Sequence, residues 1–206
     1  GQGRPGLLFR NAWRMRRKRV GVLISGRGSN MRALVEAARN PSYPAEIVNV
    51  VSNIADAPGL AWAKEQGIST AVISHKDYRS REAFDAALSA SLKSHDLDII
   101  CCAGFMRILS PLIINDWSGR MLNIHPSLLP AYKGLHTHER ALADGVAEHG
   151  ASVHVVTAEL DGGPVIAQAK VPVLPGDTPE TLAARVLAVE HPLYVKALAQ
   201  LAQSLP

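Results

Sequence analysis

Apolar runs alternate with helical segments along the first 125 residues, and this alternation limits the fold more than any other feature. The runs have few polar interruptions, which is typical of strands buried on both faces of a parallel sheet. They are "RVGVLIS" (19–25), "EIVNVVSN" (46–53), "STAVIS" (69–74), "LDIICCA" (97–103) and "RMLNIH" (120–125). Segments 30–40, 58–66 and 80–95 between them have helical spacing, and Ser80 is predicted to be the N-cap of the last one. The pattern predicts an α/β fold of three layers with an open, mostly parallel, Rossmann-like sheet.

The pattern changes in the last third of the chain. Residues 151–159 alternate between apolar and polar positions, and residues 163–173 do so again after the turn "LDGG". These features predict an antiparallel hairpin appended to the sheet. Residues 178–203 are predicted to form a closing helix, with Thr178 as N-cap and a kink at Pro192.

Charge is distributed unevenly. The formal net charge is +4, but residues 1–19 contain seven Arg or Lys residues and no acid, so 15 basic face 18 acidic residues in the rest. We therefore expect no nucleic-acid-binding surface on the folded part. We expect no membrane association either, because no apolar run is long enough to cross a bilayer.

The basic leader is expected to lie outside the fold. Residues 1–14 are interpreted as a tag or a disordered extension, Met15 as a plausible native start, and residues 15–206 as one domain. The only cysteines, Cys101 and Cys102, are neighbours on a predicted strand and should point to opposite faces. They are interpreted as small buried side chains in a reducing cytoplasm.

Three motifs carry candidate chemistry. In "SGRGSN" (25–30), exposed N–H groups at a helix start could hold a single phosphate, or the motif could be a tight turn capped by Ser29. In "NIHPSLLP" (123–130), Asn123 and His125 project from one face at the C-terminal end of a strand, where ligands bind in open parallel sheets. A histidine bonded only to backbone is the alternative. Asp161 of "LDGGP" is a turn residue unless the fold brings it near His125.

Two further segments have simpler explanations. His136 and His138 have the wrong spacing to share one helix face, so no metal site is expected. Residues 103–111, "AGFMRILSP", could line a pocket for a flat apolar ligand, but the default expectation is a helix ahead of Pro111.

Taken together, these segments resemble the folate-dependent glycinamide ribonucleotide formyltransferases of bacterial type. The resemblance runs from about Val20 to the end of the chain, and "NIHPSLLP" with a downstream "DGG" is shared with other formyl transferases and hydrolases. "SGRGSN", "KGLHTH" and "EHGASVH" are narrower and favour the glycinamide enzymes. The resemblance implies transfer of a formyl group from 10-formyltetrahydrofolate, as co-substrate, to the amine of glycinamide ribonucleotide in purine biosynthesis. It also implies a cytoplasmic monomer or homodimer that uses no metal.

The resemblance also implies roles for particular residues. Asn123 is expected to hold the oxyanion, His125 to transfer a proton, and Asp161 to raise the pKa of that histidine and order a water. The ribonucleotide is expected at Gly28, Ser29, Asn30 and Glu190. The folate is expected at Arg81, Met106, Arg107, Ile108, Leu109 and Asn123.

Three other functions share parts of this pattern. A deformylase would pass the formyl group to water with the same Asn123, His125 and Asp161, but is expected to carry a further N-terminal domain. A methionyl-tRNA formyltransferase is expected to carry a C-terminal domain and a basic surface. A non-catalytic module that binds nucleotide phosphate would have no need of all three side chains.

Overall fold

The computed structural model describes residues 16–206; residues 1–15, with most of the basic leader and Met15, lie outside the described part. Within residues 16–206, seven strands and six α-helices alternate, together with one short 3₁₀ helix, His75–Asp77. The strands are β1 Lys18–Ile24, β2 Ala45–Ser52, β3 Ser69–Val72, β4 Ile99–Cys102, β5 Met121–His125, β6 Glu148–Val155 and β7 Val165–Pro172. The α-helices are α1 Ser29–Ala38, α2 Pro58–Glu65, α3 Arg81–Lys93, α4 Pro111–Asp116, α5 Thr137–Asp144 and α6 Pro179–Ser204.

All seven strands form one sheet in the order β3-β2-β1-β4-β5-β6-β7. Strands β1 to β5 pair in parallel, whereas β6 and β7 are antiparallel, which confirms the predicted mostly parallel sheet with an appended hairpin. The strand order reverses between β1 and β4. Ligands of open α/β sheets bind beyond the carboxyl ends of the strands at such a reversal.

Helices cover both faces of the sheet, as the three-layer prediction requires. One apolar cluster joins the sheet to α1, α2 and α6, and a second joins the opposite face to α3 and α4. Cys101 belongs to the first cluster and Cys102 to the second, so the two buried thiols point to opposite faces as expected. The hydroxyl of buried Tyr194 in α6 donates a hydrogen bond of 2.8 Å to the Cys102 carbonyl oxygen, tying this helix to β4.

Local sequence signals account for most helix starts. Pro58, Pro111 and Pro179 each occupy the first turn of a helix, where a missing N–H costs nothing. Ser80 and Thr178 cap α3 and α6 through their side chains, as predicted. Helix α6 continues through Pro192.

Three local expectations were wrong. The segment 103–110 is not helical; Gly104 has φ of 75°, a left-handed conformation, and the helix begins only at Pro111. Ser29 does not cap α1, because Gly28 occupies the N-cap position with φ of 67° and no side-chain hydrogen bond. Strand β6 begins at Glu148, three residues earlier than the alternating pattern indicated.

No helix within residues 16–206 is long and apolar enough to cross a membrane.

Candidate active site

Asn123 and His125 lie on one face of β5, at its carboxyl end. The neighbouring residues Leu122 and Ile124 pack into the apolar cluster with α1, α2 and α6. Because side chains alternate along a strand, Asn123 and His125 face the opposite side of the sheet, towards α3 and α4. His125 is buried and only 6% exposed, whereas Asn123 is partly exposed. The strand therefore presents an amide and an imidazole together at the edge where ligands of such sheets bind.

Asp161 reaches this pair from the connection between β6 and β7. Its Oδ2 lies 3.5 Å from Nδ1 of His125, and both side chains are buried. The same oxygen accepts a hydrogen bond of 2.9 Å from the Gly134 backbone N–H. The sequence left Asp161 as a turn residue unless the fold brought it near His125. The fold does bring the two side chains together.

His154 is a fourth member of this cluster that the sequence did not single out. Its Nε2 lies 3.7 Å from Oδ1 of Asp161 and 3.3 Å from Nδ2 of Asn123. It reaches them because β6 pairs with β5 in a register that sets His154 opposite Asn123. The alternating pattern of residues 151–159 predicts on which face of the strand His154 lies. Only the register between β5 and β6 shows that its neighbour is Asn123.

Both ring nitrogens of His125 face oxygen atoms of the protein. Its Nε2 lies 2.8 Å from the Tyr132 carbonyl oxygen, which can only accept, so Nε2 carries a hydrogen. Nδ1 faces the Asp161 carboxylate, whose Oδ2 lies 3.5 Å away. His125 is thus bonded to backbone, as the structural alternative held, and also paired with an acid.

The environment keeps Asp161 ionised. Burial raises the pKa of its carboxyl group, but the contact with His154, the hydrogen bond from Gly134 and the positive charge on nearby imidazoles outweigh burial. The net result is a pKa below the ordinary value of 3.8. A negative charge is therefore available beside His125 at neutral pH.

The loop of residues 131–136 covers His125 and is held at several points. Arg140 donates two hydrogen bonds, of 2.7 and 2.9 Å, to the Lys133 carbonyl oxygen, and its guanidinium lies over the Tyr132 ring. Lys133 forms an exposed ion pair with Glu159, on the connection that carries Asp161. Tyr132 and His136 have positive φ values of 52° and 55°.

His138 does not approach a metal-binding arrangement. Its Nδ1 lies 3.1 Å from Nε2 of His149, a pair of imidazoles that shares one hydrogen. Burial and the neighbouring His138 and His125 lower the pKa of His149 to about 4. Within residues 16–206 no group of three or more His, Cys, Asp or Glu side chains is arranged to hold a metal ion.

The predicted phosphate loop ends in a left-handed Gly28, which lets α1 start at Ser29. The first N–H groups of a helix have no acceptor inside the helix, so they are free to bind an anion. Asn30 lies in the first turn and donates a hydrogen bond of 3.1 Å to Glu190 of α6. The structure thus brings together two of the residues expected at the ribonucleotide. Burial raises the pKa of Glu190, and the Asn30 hydrogen bond opposes this rise.

The expected folate segment forms one wall of an open cavity of about 480 Å³ on the side of α3 and α4. Ile108 and Leu109 line the cavity together with Arg81 and Ala158. Arg81 donates a hydrogen bond of 2.6 Å to the Ile108 carbonyl oxygen, so in this structure it holds the segment itself. Met106 and Ile108 leave two-thirds of their surface exposed (69% and 66%).

The remaining expected folate residue, Arg107, stacks over the Phe84 ring of α3 at 5.0 Å from its centroid. No direct hydrogen bond or ion pair within residues 16–206 joins the His125 cluster to the Asn30–Glu190 pair.

Comparison with known proteins agrees with this geometry. Residues 18–198 match the family model described as formyl transferase. The phosphoribosylglycinamide formyltransferase of Escherichia coli (strain K12) is 51% identical over 173 residues, which are 84% of this chain and 82% of that protein. The crystal structure of phosphoribosylglycinamide formyltransferase from Brucella melitensis shares 54% identity and a TM-score of 0.89, covering 93% of this chain and 98% of that one.

Longer relatives also match. The "Trifunctional purine biosynthetic protein adenosine-3" of Bos taurus is 50% identical over 183 residues, which are 89% of this chain. The matched region is only 18% of that relative, so this chain spans a small part of its length.

Proposed function

Because this chain belongs to the formyl transferase family, we propose that it transfers the formyl group of 10-formyltetrahydrofolate to the amine of 5'-phosphoribosylglycinamide. The products are formylglycinamide ribonucleotide and tetrahydrofolate, in purine biosynthesis. The observation that carries the proposal is the convergence of Asn123, His125 and Asp161, with a carboxylate oxygen 3.5 Å from the imidazole.

The reaction begins when the substrate amine attacks the formyl carbon. The carbonyl oxygen then becomes an oxyanion in a tetrahedral intermediate, which needs hydrogen-bond donors already in position. The amide of Asn123 and a protonated His125 supply two such donors from the same strand face. Asp161 keeps the imidazole charged and oriented while the negative charge develops.

The intermediate then collapses as the bond from the formyl carbon to N10 breaks. The attacking nitrogen must lose a proton and N10 must gain one, and His125 is the acid-base group within the cluster suited to move it. Its Nε2–H is directed at the Tyr132 carbonyl oxygen in this structure. Residues 131–136 therefore shift during turnover so that this N–H can reach the substrate.

The two substrates occupy the two sides of the reacting carbon. The ribonucleotide phosphate binds the N–H groups at Gly28, Ser29 and Asn30, and its amine lies towards Glu190. The folate occupies the cavity lined by Ile108 and Leu109, with Arg81 and Arg107 as cationic groups at its rim. The exposed Met106 and Ile108 side chains gain cover from the ligand, which favours binding of an aromatic ring.

One assay separates transfer from hydrolysis. The purified chain is incubated with 10-formyltetrahydrofolate, with and without glycinamide ribonucleotide, and tetrahydrofolate release is followed. We expect release that depends on the ribonucleotide and yields its formylated product in equal amount. Release at the same rate in water alone would instead identify a deformylase, and no release in either case would refute the proposal.

A further inference from the structure

One side chain outside the residues assigned so far connects the two substrate-binding loops. Ser25 follows β1 directly and begins the predicted phosphate loop. Its Oγ accepts a hydrogen bond of 2.8 Å from the Met106 backbone N–H, in the expected folate segment. The same hydroxyl donates a hydrogen bond of 2.6 Å to Oδ1 of Asn53, which follows β2. A single serine therefore bonds to the segments that leave two other strands.

The hydrogen bonds of Ser25 lie where the strand order of the sheet reverses. Strands β2, β1 and β4 are adjacent, and the strand order reverses between β1 and β4. The hydrogen bond from Met106 to Ser25 therefore crosses the crevice in which ligands of such sheets bind. Buried Asn53 fixes the direction of the serine O–H, which leaves an oxygen lone pair for Met106.

Both sides of the link are anchored elsewhere. On the side of β1, the Gly59 N–H in α2 donates a hydrogen bond of 3.0 Å to the Gly26 carbonyl oxygen, which holds the phosphate loop. On the side of β4, Arg81 holds the Ile108 carbonyl oxygen. The bond between Ser25 and Met106 joins these two anchored regions, so a displacement in one is transmitted to the other.

We propose that Ser25 is a positioning residue that couples ribonucleotide binding at the phosphate loop to folate binding at segment 104–109. This inference rests on the proposed function. A phosphate bound at the start of α1 restrains Ser25, and Ser25 in turn restrains the Met106 backbone at the wall of the folate cavity. Binding of either substrate therefore reduces the ordering cost left for the other.

The variant Ser25→Ala tests this coupling, because it leaves the Met106 N–H without its acceptor. One net hydrogen bond corresponds to about fivefold in affinity, so we expect the KM for 10-formyltetrahydrofolate to rise about fivefold with kcat little changed. Ser25→Thr keeps the hydroxyl and should restore the KM. Ser42→Ala is the matched control, because Ser42 also donates a hydroxyl to an Asn side-chain oxygen, at 2.8 Å, in an exposed turn.

A second measurement does not depend on activity. Hydrogen exchange at the Met106 amide is followed with and without glycinamide ribonucleotide. In the unmodified chain and in Ser42→Ala we expect the ribonucleotide to slow this exchange, whereas in Ser25→Ala it should have no effect. If Ser25→Ala does not fold, Ser25→Cys weakens the same hydrogen bond and is measured in its place.

The outcomes separate the inference from the proposed function. If the unmodified chain transfers formyl groups and Ser25→Ala keeps both its folate KM and the ribonucleotide effect on Met106, the coupling role is wrong while the function stands. Loss of kcat alone, with an unchanged folate KM and intact protection of Met106, would also overturn the coupling. If the unmodified chain binds neither substrate, it is the proposed function that fails.

Discussion

Nε2 of His125 donates a hydrogen bond of 2.8 Å to the carbonyl oxygen of Tyr132, in the loop that covers the site. The same ring faces Asp161 through Nδ1 at 3.5 Å. Both nitrogens are therefore engaged, one by the backbone of the covering loop and one by a buried carboxylate. Under the proposed function, a bound substrate replaces the Tyr132 carbonyl oxygen as the partner of Nε2.

Replacing His125 by Gln should separate structure from catalysis. The Gln amide can still donate to the Tyr132 carbonyl, but it cannot exchange a proton. We expect a folded protein whose kcat falls by about 10²–10⁴, the usual contribution of an acid-base group. Steady-state kinetics together with a thermal unfolding curve measure both effects. His95→Gln, next to the end of α3, serves as the control and should retain full activity.

Replacing Asn123 by Ala should impair the reaction to a similar degree. Losing one oxyanion donor costs roughly 2.7–4 kcal/mol of transition-state stabilisation. The loss should appear in kcat rather than in the KM of either substrate, because the oxyanion exists only after attack. An Asn123→Ala variant that retained most of its kcat would rule out this role.

Replacing Asp161 by Asn should lower kcat by at least about tenfold, which corresponds to 1.36 kcal/mol of lost charge stabilisation. The residue has φ of 51°, and Asn tolerates this left-handed conformation better than Ala does. Asp161→Ala should therefore lose additional stability in chemical denaturation. Equal stability of the two variants would show that backbone strain at this position is unimportant.

The stability contribution of Asp161 should depend on pH in a defined direction. Its pKa in the folded state lies below 3.8, so the folded chain binds fewer protons than the unfolded chain as the pH falls through this range. The carboxylate therefore contributes stability that is fully present at neutral pH and is lost as the pH falls through the folded-state pKa. We expect the difference in unfolding free energy between the unmodified chain and Asp161→Asn to shrink below about pH 4.

Replacing Gly59 by Ala should disturb the phosphate loop that this glycine contacts. An added Cβ would lie 2.6 Å from Cδ1 of Ile24 and 3.0 Å from the carbonyl oxygens of Gly26 and Arg27. Overpacking of this kind costs about 1–3 kcal/mol. We expect a higher KM for the ribonucleotide and a lower melting temperature. The exposed Ala61 of the same helix offers a control, Ala61→Ser, which should change neither.

Much of the fold could be predicted because its signals are local. Ser80 and Thr178 cap their helices, and the alternation of Cys101 and Cys102 followed from strand geometry alone. The segment 103–110 failed for the opposite reason. Its apolar spacing favours a helix, but left-handed Gly104 and hydrogen bonds to Ser25 and Arg81 hold it in an irregular, non-helical conformation. Such long-range contacts leave no periodic trace in the sequence.

The residues of the site also divide into those that local sequence patterns predict and those that only tertiary contacts reveal. Asn123 and His125 could be paired from their spacing, whereas the approach of Asp161 depends on how the connection after β6 folds back. His154 was missed because its neighbour is decided by the register between β5 and β6. Ser25 was missed because its partners come from two other strands. The catalytic and binding roles of these residues remain predictions for the experiments above.

The two adjacent cysteines have a practical consequence. Burial raises the pKa of the Cys102 thiol to about 12 and that of Cys101 further, so neither forms a reactive thiolate while the sheet is intact. They are the only sulfhydryl groups in the chain. An alkylating dye added to the native protein will therefore react only when the centre of the sheet opens. Its rate of incorporation thus measures how often this part of the protein unfolds.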